Sequence, residues 1–269
     1  MAILLGTQNW NYRAWIGPFY PPNTKNPDLL RWYGRMFSTL EVDSTFYGVP
    51  AEAVLKGWKE KVPDDFVFSL KLPQEITHSR RLVGGEEVLA RFVDRVEFLG
   101  NSLGPILLQL PPDFLPSRDN RGLVQGFLAK LAPKLRWTIE FRHPGWVDED
   151  TLALLRDRNV ALTLVDGRWM KRSRMLELAS QPTANFTYVR WMGLDRRLTD
   201  FSHPQLERDE ELSEWAEVLQ ALEPRVETVF GYFNNQFQGH SPHSVREMQK
   251  LLGQETVAPT AVRPQAELF

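Results

Sequence analysis

The residues best suited to chemistry lie in one stretch, RWTIEFRHPGW at residues 136–146. Its apolar and polar side chains alternate as in a strand, and Glu140 and Arg142 share the polar face. His143 and the Pro-Gly pair after it end the strand. A strand that becomes polar only at its carboxyl end is typical of an α/β enzyme site, although a buried ion pair that closes the core gives the same pattern.

Other predicted strands also end in polar or aromatic residues. They contribute Asn9 and Trp10, Glu41 and Asp43, Lys71, Gln109, Asp166, Arg190, and Asn234 and Asn235. If the strands form one barrel, their carboxyl ends share a rim and these side chains become neighbours. Burying an unpaired charge is costly, so such a ring requires either pairing within itself or a ligand that completes it. With Glu140 and Arg142 included, the ring has four carboxylates and three cations, and this near balance leaves both explanations open.

The elements that would position this ring follow a regular order. Strand patterns occur at residues 3–6, 39–45, 66–72, 105–110, 136–142, 160–166, 186–193 and 228–235. Helical patterns occur at 29–38, 51–61, 85–100, 121–131, 148–158, 210–222 and 241–252, with a weaker one at 168–180. Asp28 and Asp148 are predicted N-caps. The alternation predicts an α/β fold, a single (β/α)8 TIM-like barrel over residues 1–253, followed by a flexible C-terminal tail at 254–269.

Composition restricts the class of protein. The chain has 269 residues, of which 42% are hydrophobic and 25% charged, as in a globular protein with a large core. It has no cysteine, which excludes disulfides, thiolate ligands and a cysteine nucleophile. No segment approaches the roughly 20 apolar residues that span a bilayer, so a cytoplasmic location without membrane contact is predicted. The net charge of −2 gives no general attraction to nucleic acid, so an anion-binding surface must be local.

The loops at the predicted rim are basic. They carry His78, Arg80, Arg81, Arg168, Lys171, Arg172, Arg174, Arg196 and Arg197. Guanidinium groups suit bidentate contacts to phosphate or carboxylate, so these loops favour an anionic ligand, and solvated loop charges are the alternative. The rim carboxylates could instead hold Mg²⁺ or Mn²⁺ through oxygen. Lys71 could form a Schiff base if its pKa were lowered, but nearby carboxylates are expected to raise that pKa.

These residues predict a barrel enzyme that binds a phosphate-bearing ligand, such as a nucleotide, nucleic acid or sugar phosphate, at the rim, with phosphoester hydrolysis as a candidate reaction. Lys71, Arg142 and Arg190 are expected to hold the anion, and Gln109 and Asn234 to orient the ligand. The remaining expected ligand contacts are Asn9, Trp10, Asp43, His78, His143 and Asn235.

The expected catalytic groups are Glu140 and Glu41 as an acid/base pair, with Asp166 as a third carboxylate. Two alternatives stay open. One is a non-catalytic protein that binds an anion or nucleic acid through the same cations, with the carboxylates only fixing their geometry. The other is a sugar-active hydrolase in which Glu41 and Glu140 are the paired carboxylates.

Seven motifs also follow one another along the chain. They are G-T-x-N-W-x-Y-x-x-W-x-G-x-F-Y-P from Gly6, E-V-D-S-T-F-Y from Glu41, F-S-L-K with I-T-H from Phe68, L-L-Q-L-P-P from Leu107, I-E-F-R-H-P-G-W from Ile139, Y-V-R-W-M-G from Tyr188 and Y-F-N-N from Tyr232. Together they resemble the YecE-like family, also called domain of unknown function seventy-two. The resemblance implies a TIM-like barrel but no reaction, because the family has no established one. Met192 stands where many relatives have histidine, and Asp43 where many have asparagine.

The C-terminal residues carry a separate signal. Gln265, Leu268 and Phe269 resemble the Q-x-x-L-F peptide that docks on bacterial sliding clamps. A glutamine and two apolar anchors on a flexible tail can occupy a preformed groove, so a sliding clamp is a predicted partner, with a chance match as the alternative.

Overall fold

The computed structural model of the chain describes residues 2–194, 197–222 and 225–257. Within these ranges eight parallel strands alternate with eight α-helices and form a nearly closed barrel, which confirms the predicted fold. The strands are β1 (Ala2–Thr7), β2 (Thr39–Val42), β3 (Val67–Lys71), β4 (Leu103–Gln109), β5 (Trp137–Glu140), β6 (Val160–Gly167), β7 (Phe186–Gly193) and β8 (Thr228–Phe233). The helices are α1 (Leu29–Tyr33), α2 (Glu52–Lys59), α3 (Glu86–Val96), α4 (Arg118–Leu128), α5 (Glu149–Asp157), α6 (Arg172–Ala179), α7 (Asp209–Leu222) and α8 (Ser241–Leu251).

Helix ends depend on capping, and the two predicted caps differ in outcome. The Asp148 carboxylate accepts a 3.0 Å hydrogen bond from the Thr151 amide and caps α5 as predicted. Asp28 occupies the N-cap position of α1 as predicted, but its side chain makes no capping hydrogen bond. Helix α1 also ends at Tyr33, earlier than its apolar pattern indicates, because Gly34 follows and favours a turn.

The barrel closes between β1 and β2 through an unusual seam. Among the described residues a single backbone bridge joins these two strands, and the Tyr33 hydroxyl supplies further contacts. It accepts from the Thr7 amide at 2.8 Å and donates to the Thr39 carbonyl at 3.0 Å. A Cβ atom on Gly6 would lie 2.1 Å from the Thr39 carbonyl oxygen, so this approach requires glycine.

The interior below the rim is packed in layers. Its lowest layer is apolar and contains Leu4, Val67, Ala161, Phe186 and Phe230. The middle layer contains Thr39, Ser69, Leu107, Thr138, Thr163, Tyr188 and Tyr232. The Tyr232 hydroxyl lies 2.7 Å from the Thr39 hydroxyl and 2.6 Å from the Ser69 hydroxyl. These layers fill the barrel, so a ligand can enter only from the carboxyl ends of the strands.

The residues that follow α8 pack against the barrel near the start of β1. Gln254 Nε2 donates a 2.9 Å hydrogen bond to the Ile3 carbonyl, so the first residues of the predicted tail contact β1. The clamp-like residues Gln265, Leu268 and Phe269 lie outside the described residues. In the described part of the chain, no helix is long and apolar enough to cross a membrane.

Candidate functional site

The top layer of the barrel interior is mostly polar. In chain order it contains Gln8, Glu41, Lys71, Gln109, Glu140, Val165, Arg190 and Asn234. Each lies two residues after the residue that its own strand contributes to the middle layer, or, for Gln8, two residues after Gly6. Because side chains of a strand alternate with a period of two, it faces the same interior. The strand-end pattern of the sequence indicates six of these positions.

Arg190 lies at the centre of this layer, with 1% of its surface exposed. Its Nη2 lies 2.7 Å from Glu41 Oε1, its Nε lies 3.0 Å from Glu41 Oε2, and its Nη1 contacts Glu140 Oε2. Tyr188 donates a further 2.6 Å hydrogen bond to Glu41. Burial raises the pKa of Glu41, and the attraction of Arg190 offsets part of that rise. One guanidinium therefore engages both buried carboxylates.

Arg142 connects this layer to the space above it. Its Nε donates to Glu140 Oε1 at 2.7 Å and its Nη2 donates to Gln109 Oε1 at 2.7 Å. Its Nη1 makes no hydrogen bond within the described residues, and 13% of the side chain is exposed. Although burial raises the pKa of Glu140, the guanidiniums of Arg190 and Arg142 outweigh it and lower the pKa to about 2. Glu140 is therefore an ionised acceptor at neutral pH.

Lys71 is a cation without a carboxylate partner. It makes no ion pair with any described residue, and its Nζ lies 4.0 Å from the centre of the Phe46 ring. Burial lowers the pKa of Lys71 to about 8 and outweighs the carboxylates that raise it. The expected net rise of the pKa was wrong, because the burial of the amine outweighs the carboxylates, although each of them does raise the pKa.

Asp43 and His78 complete this part of the site. Asp43 Oδ1 is buried without a hydrogen bond and lies 3.9 Å from Arg190 Nη2. His78 lies in a helical turn, Glu75–Ser79, with its Nδ1 2.8 Å from the Thr77 hydroxyl. Burial and the nearby cations lower the pKa of His78 to about 4, so its imidazole is neutral at pH 7.

Two cavities open above the top layer. One has a volume of about 340 Å³, and its lining includes Asp43, Phe46, Lys71, His78 and Gln109. The other has a volume of about 270 Å³, and its lining includes Tyr12, Glu140, Trp169 and Phe201. Both are lined by Arg142, Met192 and Asn234, so one ligand could contact both cavities.

Asp166, the third predicted catalytic carboxylate, lies elsewhere. Strand β6 presents Val165 to the interior, so Asp166 faces the helical layer. Its Oδ2 accepts a 2.8 Å hydrogen bond from Trp215 Nε1 on α7, and burial raises the pKa of this carboxyl group. The structure therefore separates Asp166 from the carboxylates that Arg190 holds.

Two predicted ligand contacts, Asn235 and His143, instead accept hydrogen bonds at the start of helical segments. Asn235 Oδ1 accepts hydrogen bonds from both the amide and the hydroxyl of Ser241, each 2.9 Å long, at the start of α8. His143 Nδ1 accepts a 3.1 Å hydrogen bond from the Gly145 amide. Neither side chain lines the two cavities.

Two further predicted contacts, Asn9 and Trp10, follow β1 and bind neighbouring loop and helix residues. Asn9 Oδ1 accepts a 3.1 Å hydrogen bond from the Asp43 amide, and its backbone has a φ of 59°. The Trp10 ring packs edge-on against Trp58 with 6.0 Å between ring centres. Neither Asn9 nor Trp10 lines either of the two cavities, but both help to fix the loop after β1.

The acidic residues considered as metal ligands do not converge. Glu41 and Glu140 are bound to Arg190, and Asp166 is bound to Trp215. Among the described residues, no three His, Cys, Asp or Glu side chains are arranged to hold a metal ion. The donor set therefore does not fit a Mg²⁺ or Mn²⁺ centre at this rim.

Four side chains of the basic loops form ion pairs with neighbouring carboxylates. The pairs are Arg80 with Glu75, Arg81 with Asp113, Arg172 with Glu211 and Glu214, and Arg174 with Glu177. Arg168 lies over the Trp169 ring, 4.3 Å from its centre, and Arg196 is outside the described residues. These four side chains are therefore less available to an anionic ligand than their number in the sequence suggests.

Several cavity residues were missed as site residues, and Gln8 and Met192 are two of them. Gln8 was placed in a loop because the predicted first strand ended at Gly6, although continued alternation from Leu4 and Gly6 would have pointed it inward. Its Nε2 lies 3.0 Å from Met192 Sδ, and its Oε1 accepts from Asn234 Nδ2 at 2.8 Å. The departure at Met192 thus lies in the lining of both cavities.

The chain matches the profile of a family described as "Protein of unknown function DUF72" over residues 4–267. It is 29% identical over 177 residues to UPF0759 protein YecE of Escherichia coli strain K12, a match that spans 64% of this chain and only 62% of that protein. It is 24% identical over 270 residues to UPF0759 protein YunF of Bacillus subtilis, covering 93% of this chain and 94% of that protein. In structure it resembles a DUF72 family protein of Thermotoga maritima, with a TM-score of 0.80 and 25% identity over 94% of this chain and 100% of the other.

Proposed function

The chain belongs to the DUF72 family, whose description names no reaction, and we propose that it binds a small phosphate-bearing polyol at the mouth of its barrel. Such a ligand combines a phosphate with hydroxyl groups. The mouth offers guanidinium and ammonium donors for the phosphate and a carboxylate oxygen for the hydroxyls. Sugar phosphates are a small-ligand class with this combination.

The contrast between the top layer and the cavity above it carries this proposal. In the layer, the charges of Glu41, Glu140 and Arg190 are paired with one another. In the cavity, Lys71 has no carboxylate partner and Asp43 Oδ1 has no hydrogen bond. A buried ammonium without an ion pair is unfavourable, and so is a buried carboxylate oxygen without a hydrogen bond, even though this oxygen lies 3.9 Å from Arg190 Nη2. A ligand with both an anion and hydroxyl donors would satisfy the two groups together.

Arg142 is the best anchor for the phosphate. Glu140 and Gln109 fix its guanidinium through Nε and Nη2, while Nη1 stays free at the wall shared by both cavities. A guanidinium held in place loses little freedom on binding, which favours a charge-assisted contact to phosphate. Lys71 provides the second cation of the site.

In this proposal the two buried glutamates position the cations and do not transfer protons. The pKa of Glu140 is about 2, so this group does not serve as an acid near pH 7. A paired-carboxylate hydrolase needs one protonated carboxyl and one free carboxylate on opposite sides of the sugar bond. Glu41 and Glu140 instead share one guanidinium, which disfavours the sugar-hydrolase alternative.

A nucleotide is the second ligand to consider, because the smaller cavity is aromatic. Tyr12, Trp169 and Phe201 contribute to its lining, and an aromatic ring can stack on a base. A nucleotide would place its phosphate at Arg142 and its base among these rings. Adenosine 5′-monophosphate therefore belongs in the same binding experiment.

Calorimetric titration with glycerol 3-phosphate, glycerol and adenosine 5′-monophosphate tests the proposal. We expect glycerol 3-phosphate to bind and glycerol not to bind. Lys71→Met and Arg142→Met should each weaken binding roughly tenfold to a hundredfold, as expected for the loss of a charge-assisted contact. Lys59→Met is the matched control, because Lys59 also lies over an aromatic ring, that of Phe98, but on the exposed surface.

Equal affinity for glycerol and glycerol 3-phosphate would reject the phosphate site. Unchanged binding in both cavity variants would place the anion elsewhere. Much tighter binding of adenosine 5′-monophosphate, lost in Trp169→Ala, would assign the site to a nucleotide.

A further inference from the structure

We infer that Lys71 forms a Schiff base with the carbonyl group of a phosphate-bearing keto or aldehyde polyol bound at the barrel mouth. The inference rests on the proposed function, because the phosphate is what holds this ligand beside the lysine. It adds a covalent step to the binding and names the reactive group of the ligand.

The position of Lys71 suits a nucleophile that reacts with a bound ligand. It is the one buried lysine among the described residues, with 8% of its surface exposed. Its backbone is fixed in β3, where the Thr45 hydroxyl donates to the Lys71 carbonyl at 2.7 Å and accepts from its amide at 3.0 Å. The amine reaches the 340 Å³ cavity over the Phe46 ring. A fixed backbone and an amine without an ion pair allow Lys71 to attack a carbonyl held in the cavity.

The lack of a carboxylate partner matters because an ion pair would keep the amine protonated. The charged and titratable groups around Lys71 are Glu41 and Asp43 from β2 and its following turn, His78, Glu140 and Arg142 from β5 and its end, and Arg190 from β7. Burial is the largest influence and lowers the pKa of Lys71 to about 8. At pH 7 about a tenth of such amines are neutral, against on the order of one in three thousand for an ordinary lysine.

The step balances without an oxidant or reductant. The neutral amine attacks the carbonyl carbon, a C–N bond forms, and the carbonyl electron pair moves to oxygen. That oxygen takes up a proton, and a proton leaves the nitrogen, which gives a carbinolamine. Protonation of its hydroxyl then releases water as the nitrogen electron pair forms C=N. The net change is amine, carbonyl and one proton to iminium and water, and hydrolysis reverses it.

Two groups in the same cavity can carry these protons. The His78 imidazole is neutral, and with its Nδ1 engaged by Thr77, its Nε2 remains available. Asp43 has a buried Oδ1 without a hydrogen bond. A neutral imidazole and a carboxylate can pass a proton between nitrogen and oxygen as water leaves.

Reductive trapping tests the inference with a probe matched to the binding experiment. Dihydroxyacetone phosphate differs from glycerol 3-phosphate only in having a ketone at its central carbon, so only the former can form an imine. The protein is incubated with it and sodium cyanoborohydride, and modified lysines are located by peptide mass mapping. We expect Lys71 to be modified at least tenfold faster than any other lysine at pH 7. Its rate should rise with pH to a midpoint near 8.

The controls separate this inference from the proposed function. Lys71→Arg should abolish the selective modification, Lys59→Arg should leave it intact, and glycerol 3-phosphate should slow it by competition. If both phosphates bind but Lys71 reacts no faster than exposed lysines, the Schiff base is rejected and the binding function stands. If neither phosphate binds and no lysine is favoured, both fail. Equal modification by unphosphorylated dihydroxyacetone would overturn the role of the phosphate.

Discussion

Replacing Glu140 with glutamine tests whether charge holds the top layer together. Glutamine keeps the size of the side chain but cannot neutralise Arg190 and Arg142, which both contact Glu140. The fall of the Glu140 pKa from 4.5 to about 2 corresponds to roughly 3 kcal/mol at pH 7, at about 1.4 kcal/mol per pKa unit. We expect Glu140→Gln to lower the free energy of unfolding by about that amount in urea denaturation at pH 7.

The pH dependence gives a sharper test of the same substitution. Because the folded-state pKa of Glu140 is depressed, its stabilisation is complete well above pH 4.5 and is lost as the pH falls toward 2. At pH 3 the unfolded carboxyl is mostly protonated while the folded one is mostly ionised, so about 2 kcal/mol of the contribution is gone. The gap between the wild type and Glu140→Gln should therefore shrink to about 1 kcal/mol at pH 3.

A surface ion pair provides the control. Glu149 pairs with Arg156 at 2.7 Å, but 71% of its side chain is exposed. Glu149→Gln should change the free energy of unfolding by less than about 0.5 kcal/mol at either pH. A loss below about 1 kcal/mol for Glu140→Gln at pH 7, or an equal loss at pH 7 and pH 3, would refute the view that charge pairing stabilises this layer.

Two other substitutions and one deletion test separate parts of the chain. Tyr33→Phe should cost about 1–3 kcal/mol in urea denaturation, because an amide of β1 and a carbonyl of β2 lose their partner at the barrel seam, and unchanged stability would show that the seam closes without this hydroxyl. Asp166→Asn should leave glycerol 3-phosphate affinity within about twofold, as expected of a group that faces the helices, and a larger loss would return Asp166 to the site. Removing Leu268 and Phe269 should abolish retention of the protein on an immobilised bacterial sliding clamp, and retention of the shortened chain would end the proposal of that partner.

The membership of the rim could be largely predicted from the sequence. In a parallel barrel every strand runs in the same direction, so a polar residue at the end of a strand pattern lies at the same edge as all the others. Glu41, Lys71, Gln109, Glu140 and Arg190 occupy the top layer for this reason. Their strands alternate clearly between apolar and polar residues, so the face of each could be predicted as well.

The pattern failed where alternation was weak or cut short. Strand β6 is buried along its whole length, and apolar residues on both of its faces hide which face points into the barrel. Asp166 was therefore predicted to line the site, although its neighbour Val165 does so. Gln8 was missed because the first strand was predicted to end at Gly6, whereas β1 continues to Thr7 and is followed by a bridge at Gln8.

The chemistry of the site was decided by the tertiary structure. The sequence by itself determined that carboxylates and cations meet at the rim, since their strand positions are local properties of the chain. It could not determine that Arg190 takes both Glu41 and Glu140, because this pairing joins three strands that are distant along the chain. The lowered pKa of Lys71 follows from burial, with a smaller contribution from Arg190, and both depend on which side chains surround the amine in three dimensions.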